Sequence, residues 1–593
     1  MRLRFLLGSL ALVACVPQPA ATLDDGARPL NESPDVARHT PRWAFEPWVS
    51  QDISTTAVTL DFVGGFESRD IPVGVVVIDS PWETNYHSFR PNPARYPNFA
   101  ELIAGFRARG IRTVLWMTQF QNVGSFDVEP GGDVYQGPAP DYGVGRRDGF
   151  YVEDGELYVW WKGQGAAVDF FNPAAVEWWH RLQDRAFALG ISGWKLDFGD
   201  EYITRDPMKT AAGLVSKQAY GEAYYRDMLS YGTLALGRDE FTTMSRPFDT
   251  SYGFAPRFYA RKESCPIGWV GDNRRDWLGL VDALDHVFRS AQAGYVVLGS
   301  DIGGYLDVDD LNLTGPSIPF SHAVFARWTA LGALMPFMQL HGRGNFAPWT
   351  VPERPDETVV LYRYWATLHH ELVPFFYSLA EEAYAGGPNI IRPLGAQPVS
   401  WANDWRYQLG DAFLVAPIID DRGRRDVALP AGVRWFDWWD EQGAPLDGGQ
   451  TLRDYDAVDT ARVPLFVREG ALVPLSVSSS VTGLGSAAHA GKLTLLAWPS
   501  ATPGAFRLHE RDGVLELSAK VGELRFSALP AGAFVKLWTD TPPASLSVNG
   551  TALVARADKA ALEAAGNGFA RGPGRFTWLR LPASTAPVVV TWN

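Results

Sequence analysis

Short, unbroken apolar runs alternate with segments of helical period from residue 73 to about residue 300, and this alternation restricts the folds open to the chain. The run 73–79 (VGVVVID) is Val-rich and continuous, as strands buried on both faces are. Residues 98–110 (NFAELIAGFRARG) put Phe99, Leu102, Ile103 and Phe106 on one helical face and close on Gly110. A strand follows at 112–117 (RTVLWM), and another is read at 166–170 (AAVDF). In NPAAVEWWHRLQDRAFALG, Asn172 can cap a helix, Pro173 suits its first turn and Gly190 can end it. Ala175, Trp179, Leu182, Ala186 and Leu189 form its apolar stripe. Further strands are read at 193–198, 241–245, 267–271 and 295–300, the last two joined by a helix over 280–294.

Repeated β-α units build either a doubly wound sheet or a (β/α)8 barrel. Seven strand candidates, with an eighth near 335–340, favour the TIM barrel. No GxGxxG follows the first strand and no GxxxxGK[ST] occurs, which counts against nucleotide-binding sheets. After about residue 385 helical periodicity stops, and short runs such as RWFDWWD and VPLFVREGALVPL are divided by Gly, Pro, Asp and Asn. That pattern predicts two C-terminal β-sandwiches with a break near 475–490. The expected order is an α/β barrel over 43–385 with a reduced N-terminal β region, a proximal sandwich over 386–478 and a distal one over 479–593.

The N-terminus reads separately. Arg2 and Arg4 precede an apolar run too short to span a bilayer, so residues 1–14 read as a signal peptide. Leu12-Val13-Ala14-Cys15 resembles a bacterial lipobox, which implies a lipidated Cys15 followed by a tether over 15–42 rich in Pro, Ala, Asp and Arg. Val16 after it implies sorting to the outer membrane of a bacterial cell envelope, with membrane contact through the lipid anchor alone. Cys265 is the one other cysteine, so a lipidated Cys15 leaves no intramolecular disulfide. A net charge of −14 gives no electrostatic footprint for nucleic acid.

A barrel of this type builds its site at the C-terminal ends of its strands. In this reading those ends carry Asp79, Asp169, Lys195 with Asp197, Arg246, Asp272 and Asp301, and His341 lies past the eighth strand. One or two acids there would be ordinary loop residues; this many on one face define a polar pocket. Several Asp with Arg, His and 23 Trp suit a sugar, whose C–H faces pack on aromatic planes. Glycoside hydrolysis needs one carboxyl group that stays ionised and one with a raised pKa across the scissile bond. HHELV (369–373) lacks HExxH spacing, and DVDD (307–310) lacks the Gly and terminal Glu of a calcium loop, so no metal or cofactor is expected. GWKLDFGDEY (193–202) holds three acids; Asp197 ends the strand, while Asp200 and Glu201 lie in the loop beyond.

At these residues the chain resembles glycoside hydrolase family 31, a family of retaining α-glucosidases, α-xylosidases, some α-galactosidases and sulfoquinovosidases. GWKLDFGDEY looks like its nucleophile strand, WVGDNRRDW (269–277) its acid/base segment, and GSDIGGY (299–305) and FARWTALGALMPFMQLHG (325–342) its later barrel motifs. FLVAPI and VPLFVREGALVPL look like its proximal sandwich, and the likeness covers roughly 70–475. The resemblance implies Asp197 as nucleophile and Asp272 as acid/base. It also implies Asp79, Arg246, Asp301 and His341 as binders of sugar hydroxyls, Trp161 and Trp269 as aromatic walls, and Lys195 as a further substrate-binding residue. Lys195 two residues before Asp197 would favour the ionised nucleophile. The chain departs from the family in lacking room for its large N-terminal sandwich, and Gln339 stands where many members have Arg. The expected activity is exo-acting hydrolysis of a terminal α-glucoside or α-xyloside. An α-galactosidase or sulfoquinovosidase is the alternative within the family, and a non-catalytic glycan-binding lipoprotein the alternative outside it.

Overall fold

Val75–Ile78 is fully buried, as its continuous apolar run predicts, and it is one stave of a closed parallel barrel. In the computed structural model, which describes residues 36–308, 315–395 and 398–593, the staves are eight. They are β1 (Trp48–Gln51), β2 (Val75–Ile78), β3 (Arg112–Met117), β4 (Gly193–Leu196), β5 (Thr242–Ser245) and β6 (Ile267–Trp269). β7 runs in two pieces, Leu298–Gly299 and Asp301–Ile302, and β8 is Gln339–Leu340. Each pairs in parallel with the next, and β8 closes on β1 with Trp48 opposite Gln339. Cys15, the expected lipidation site, lies outside the described residues.

Two corrections concern the strands. The run 166–170 is not a stave. Gly163–Ala167 lies antiparallel to Phe120–Phe126 in a four-stranded sheet inserted between β3 and its helix. Its small Gly-Gln-Gly-Ala-Ala sequence lacks the β-branched bulk with which buried parallel strands fill a barrel. The true first stave is β1, at the place assigned to a reduced N-terminal β region. It is four residues long and carries Ser50 and Gln51, too short and too polar for its periodicity to register, yet it is buried throughout. Among the described residues no sandwich precedes the barrel.

Helices follow the staves where the stripes predict them. Phe99–Ala108 buries Phe99, Leu102, Ile103 and Phe106. Pro173–Phe187 begins on Asn172, whose side chain accepts from Ala174 N at 3.0 Å, and Leu189 falls just past its end. Between β5 and β6 no α-helix forms among the described residues; Pro247, Pro256 and Pro266 punctuate that segment, and a small hairpin pairs Phe248–Asp249 with Arg257–Phe258. This irregular loop becomes part of the site.

Past the barrel the chain is β-rich. A six-stranded sheet and a two-stranded one span residues 391–468, and two further sheets of five and six strands enclose a separate apolar core that includes Leu495, Leu517, Val535 and Leu579. The strand Leu472–Leu475, placed by sequence in the proximal sandwich, pairs with Leu493–Ala497, so the change of sheet falls before it. No described helix is long and apolar enough to cross a membrane.

Candidate active site

The C-terminal ends of the staves surround a cavity of about 290 Å³. Asp79, Lys195, Asp197, Asp272 and Trp161, all expected from sequence, line it. Arg246, Trp269, Asp301 and His341 are buried beside these residues: Arg246 against Asp197 and Asp272, His341 against Lys195, and Trp269 and Asp301 against each other. In the absence of sugar these side chains hold one another and the neighbouring carboxylates. Asp169 is outside the pocket, its carboxylate accepting from Phe171 N and Ala211 N at 2.9 and 2.7 Å to shape a turn.

Asp197 follows β4. Its Oδ1 accepts from Arg246 Nε and Phe198 N, both at 2.9 Å, and its Oδ2 from Trp116 Nε1 at 3.0 Å. Burial would raise its pKa, but the charges of Arg246 and Lys195 and these donors outweigh burial and hold the carboxyl below the ordinary range. Asp272 follows β6, and its Oδ2 accepts from Arg246 Nη2 at 2.7 Å. Here burial wins: with Asp197 and Asp301 adding like charge, it outweighs Arg246 and pushes Asp272 up to about 7. The two carboxyl groups, side by side on one edge of a guanidinium, are thus driven apart in acidity.

Arg246 is fully buried and sandwiched between the rings of Phe198 and Trp269, each centroid 3.8 Å from its Cζ. Its remaining Nη1 meets Asp249, a residue the sequence did not single out. Asp249 Oδ1 accepts from Ser251 N and Oγ at 2.9 and 2.7 Å, and Ser251 Oγ accepts from Asp272 N at 3.1 Å. Gly271 at φ +91° passes so close that a Cβ there would lie 2.4 Å from the Asp249 carboxylate, which fixes glycine beside Asp272.

A second charged group shares the Trp269 ring with Arg246. Lys195 Nζ donates to Asp79 Oδ2 at 2.8 Å and lies 3.3 Å from His341 Nδ1, over the Trp269 ring. His341 Nε2 meets Asp52 Oδ1 at 2.9 Å. Asp52, at the end of the unread stave β1, is a second buried acid that sequence reasoning missed; only recognition of β1 could have placed it. Burial, against the pull of Lys195, lifts Asp79 to about 6. Ligand atoms of Asp52, Asp79 and His341 lie within 4.8 Å of one another, a spacing that could hold a cation. The Lys195 ammonium already sits among them, so this set does not fit a metal.

Asp200 and Glu201 share one partner. Arg257 Nη2 pairs with Asp200, and its Nε donates to Glu201 Oε1 at 2.8 Å. Both acids therefore tie the loop after β4 to the β5–β6 loop, which brings Tyr252 and Phe254 to the pocket wall.

A barrel with a carboxyl pair split in acidity at its strand ends defines the class. The family model for the glycosyl hydrolases family 31 TIM-barrel domain matches residues 37–379, and that for the family's C-terminal domain matches 387–473. The chain belongs to glycosyl hydrolase family 31. It is 25% identical over 464 residues to an alpha-xylosidase of Emericella nidulans, covering 74% of this chain and 54% of that protein. It is 26% identical over 472 residues to alpha-glucosidase 2 of Bacillus thermoamyloliquefaciens, covering 76% and 54%. The chain thus spans about half the length of these curated relatives. Among solved structures, the cycloalternan-forming enzyme of Listeria monocytogenes superposes with TM-score 0.79 at 19% identity over 94% of this chain and 54% of that one. A Flavobacterium johnsoniae GH31 dextranase gives 0.76 at 19% identity over 94% and 71%.

Replacing Arg246 by Met strands three carboxylates in the interior, and loss of a buried ion-pair partner costs about 3–5 kcal/mol. Without the cation these acids raise one another's pKa above the unfolded values, so the folded variant binds extra protons and loses stability as pH rises. Thermal melts should show R246M further below the parent at pH 8 than at pH 5; an equal gap at both would contradict the electrostatic role of Arg246.

Proposed function

We propose that the chain is an exo-acting retaining α-glycosidase that removes a neutral terminal α-linked sugar of α-glucoside or α-xyloside type. The observation that carries this reading is the Asp197–Asp272 pair on one guanidinium edge, one acid held ionised and the other lifted to about 7. Two carboxylates on neighbouring N–H groups of one fork are held close, which favours the roughly 5 Å separation of retaining pairs over the wider gap of inverting ones. Asp197 attacks the anomeric carbon while protonated Asp272 gives its proton to the departing oxygen. The resulting glycosyl-aspartate ester is hydrolysed by a water that Asp272, now ionised, deprotonates.

The wall also bears on substrate charge. Each cation at or behind it is matched: Lys195 by Asp79, Lys162 by Asp127 and Glu129, Arg246 by Asp197, Asp249 and Asp272. No cation among these is left for a sulfonate or carboxylate on the sugar, which favours a neutral glycoside over a sulfoquinovoside. The names of the relatives, an alpha-xylosidase and an alpha-glucosidase, agree with that class.

Hydrolysis of p-nitrophenyl α-glucoside, α-xyloside, α-galactoside and α-sulfoquinovoside tests the reading. Turnover is expected on a neutral member and not on the sulfonated one. Binding without turnover across the set would favour a glycan-binding protein instead, and preference for the sulfoquinovoside would overturn the charge argument.

The pH profile follows from the same pair. Asp272 must carry its proton and Asp197 must not, so kcat/KM on a poor leaving group should fall as pH rises through about 7, with the acid limb below the ordinary carboxylate range. A dinitrophenyl glycoside, whose leaving group needs no proton, should lose most of the alkaline limb. A flat profile between about pH 5 and 9 for the poor leaving group would remove Asp272 from the acid role.

A further inference from the structure

Tyr305 stands between two carboxylates with one hydrogen to give. Its hydroxyl lies 2.8 Å from Asp52 Oδ2 and 3.0 Å from Glu129 Oε1. Burial and both acids push the phenol pKa well up, so it keeps its hydrogen, and a phenol donates only once. One of the two oxygens is therefore without that donor. The shorter contact goes to Asp52, which faces His341 as well and does not line the pocket; Glu129 does line it.

Glu129 is held rigidly for a residue on an insert. Its Oε2 meets Lys162 Nζ, which also donates to Asp127 Oδ1 and Oδ2 at 2.9 and 3.0 Å. Its backbone N donates to Asp127 Oδ1 at 3.1 Å. Arg95 braces the same loop through Asp133, with Nη2 to Oδ1 at 2.7 Å. Lys162 spends its hydrogens within this cluster, so what the insert offers the pocket here is an acceptor, not a cation.

We propose that Glu129 is a specificity-determining residue whose Oε1 accepts a hydrogen bond from a hydroxyl of the sugar bound beside Asp197 and Asp272, supplying the donor that Tyr305 cannot. The inference rests on the glycosidase reading of the pocket. A substrate with hydrogen or fluorine in place of that hydroxyl leaves Glu129 Oε1 without a donor in the pocket wall, and sites of that kind discriminate strongly. Lys162 acts as a positioning residue for Glu129.

The test compares wild type, E129Q and E129A on the p-nitrophenyl glycoside the enzyme turns over and on the monodeoxy analogues of that sugar. E129A is expected to lose roughly 10- to 100-fold in kcat/KM on the parent, the scale of a hydrogen bond to a charged group. On one deoxy analogue, wild type should show a similar loss and E129A little more, which couples Glu129 to that hydroxyl. E129Q, which keeps an acceptor oxygen, should fall between and carries the same comparison if E129A fails to fold. Parent activity unchanged in both variants, or equal losses on every analogue, would reduce Glu129 to a brace for Lys162 and overturn the inference while leaving the glycosidase reading intact. Absence of turnover in wild type on any glycoside would remove both.

Discussion

Arg246 is buried completely, and its guanidinium meets the carboxylates of Asp197, Asp249 and Asp272 while lying flat between Phe198 and Trp269. Burying such a charge is costly unless every donor is matched, and here the partners are Asp249 and the proposed nucleophile and acid/base, Asp197 and Asp272. The rest of the site depends on this contact. It keeps Asp197 ionised against burial, and it limits, without cancelling, the rise in Asp272. A lysine could not replace it, because a point charge cannot hold two carboxylates on adjacent N–H groups and stack on two rings.

The fold delivers these groups from separate staves. Asp197 leaves β4, Arg246 leaves β5, Asp272 leaves β6, and none is close to the others in sequence except through the closed sheet. The β5–β6 connection has no α-helix among the described residues and serves instead as a pocket wall, tied to the loop after β4 by Arg257. The insert after β3 provides a second wall with Trp161, Lys162 and Glu129. Both walls are irregular segments anchored by buried ion pairs, and a rigid barrel beneath them sets where those pairs can form.

Much of this was legible in the sequence. The Val-rich run at β2 and the stripes of the helices after β2 and β3 fixed a parallel α/β architecture, because buried strands and amphipathic helices have different periods. Strand ends put Asp197 and Asp272 among the candidate residues, and the resemblance to the family singled them out as the catalytic pair. β1 could not be read, since four residues with two polar side chains carry no period, and Asp52 was lost with it. Asp200 and Glu201 could be read only as acids of the loop past Asp197; both hold Arg257, a partner more than fifty residues away. Arg246, Trp269, Asp301 and His341 were placed by position, but sequence could not show that they hold one another and the two carboxylates in one buried network.

The central claim is that Asp197 becomes covalently glycosylated while Asp272 manages the proton. Incubation with a 5-fluoro glycosyl fluoride of the sugar the enzyme turns over, followed by peptide mass spectrometry, addresses it directly. The account predicts one fluoroglycosyl unit per chain, carried by the peptide containing Asp197, with activity lost in step with labelling. Label on another residue, or an unlabelled enzyme releasing a product of inverted anomeric configuration, would contradict it.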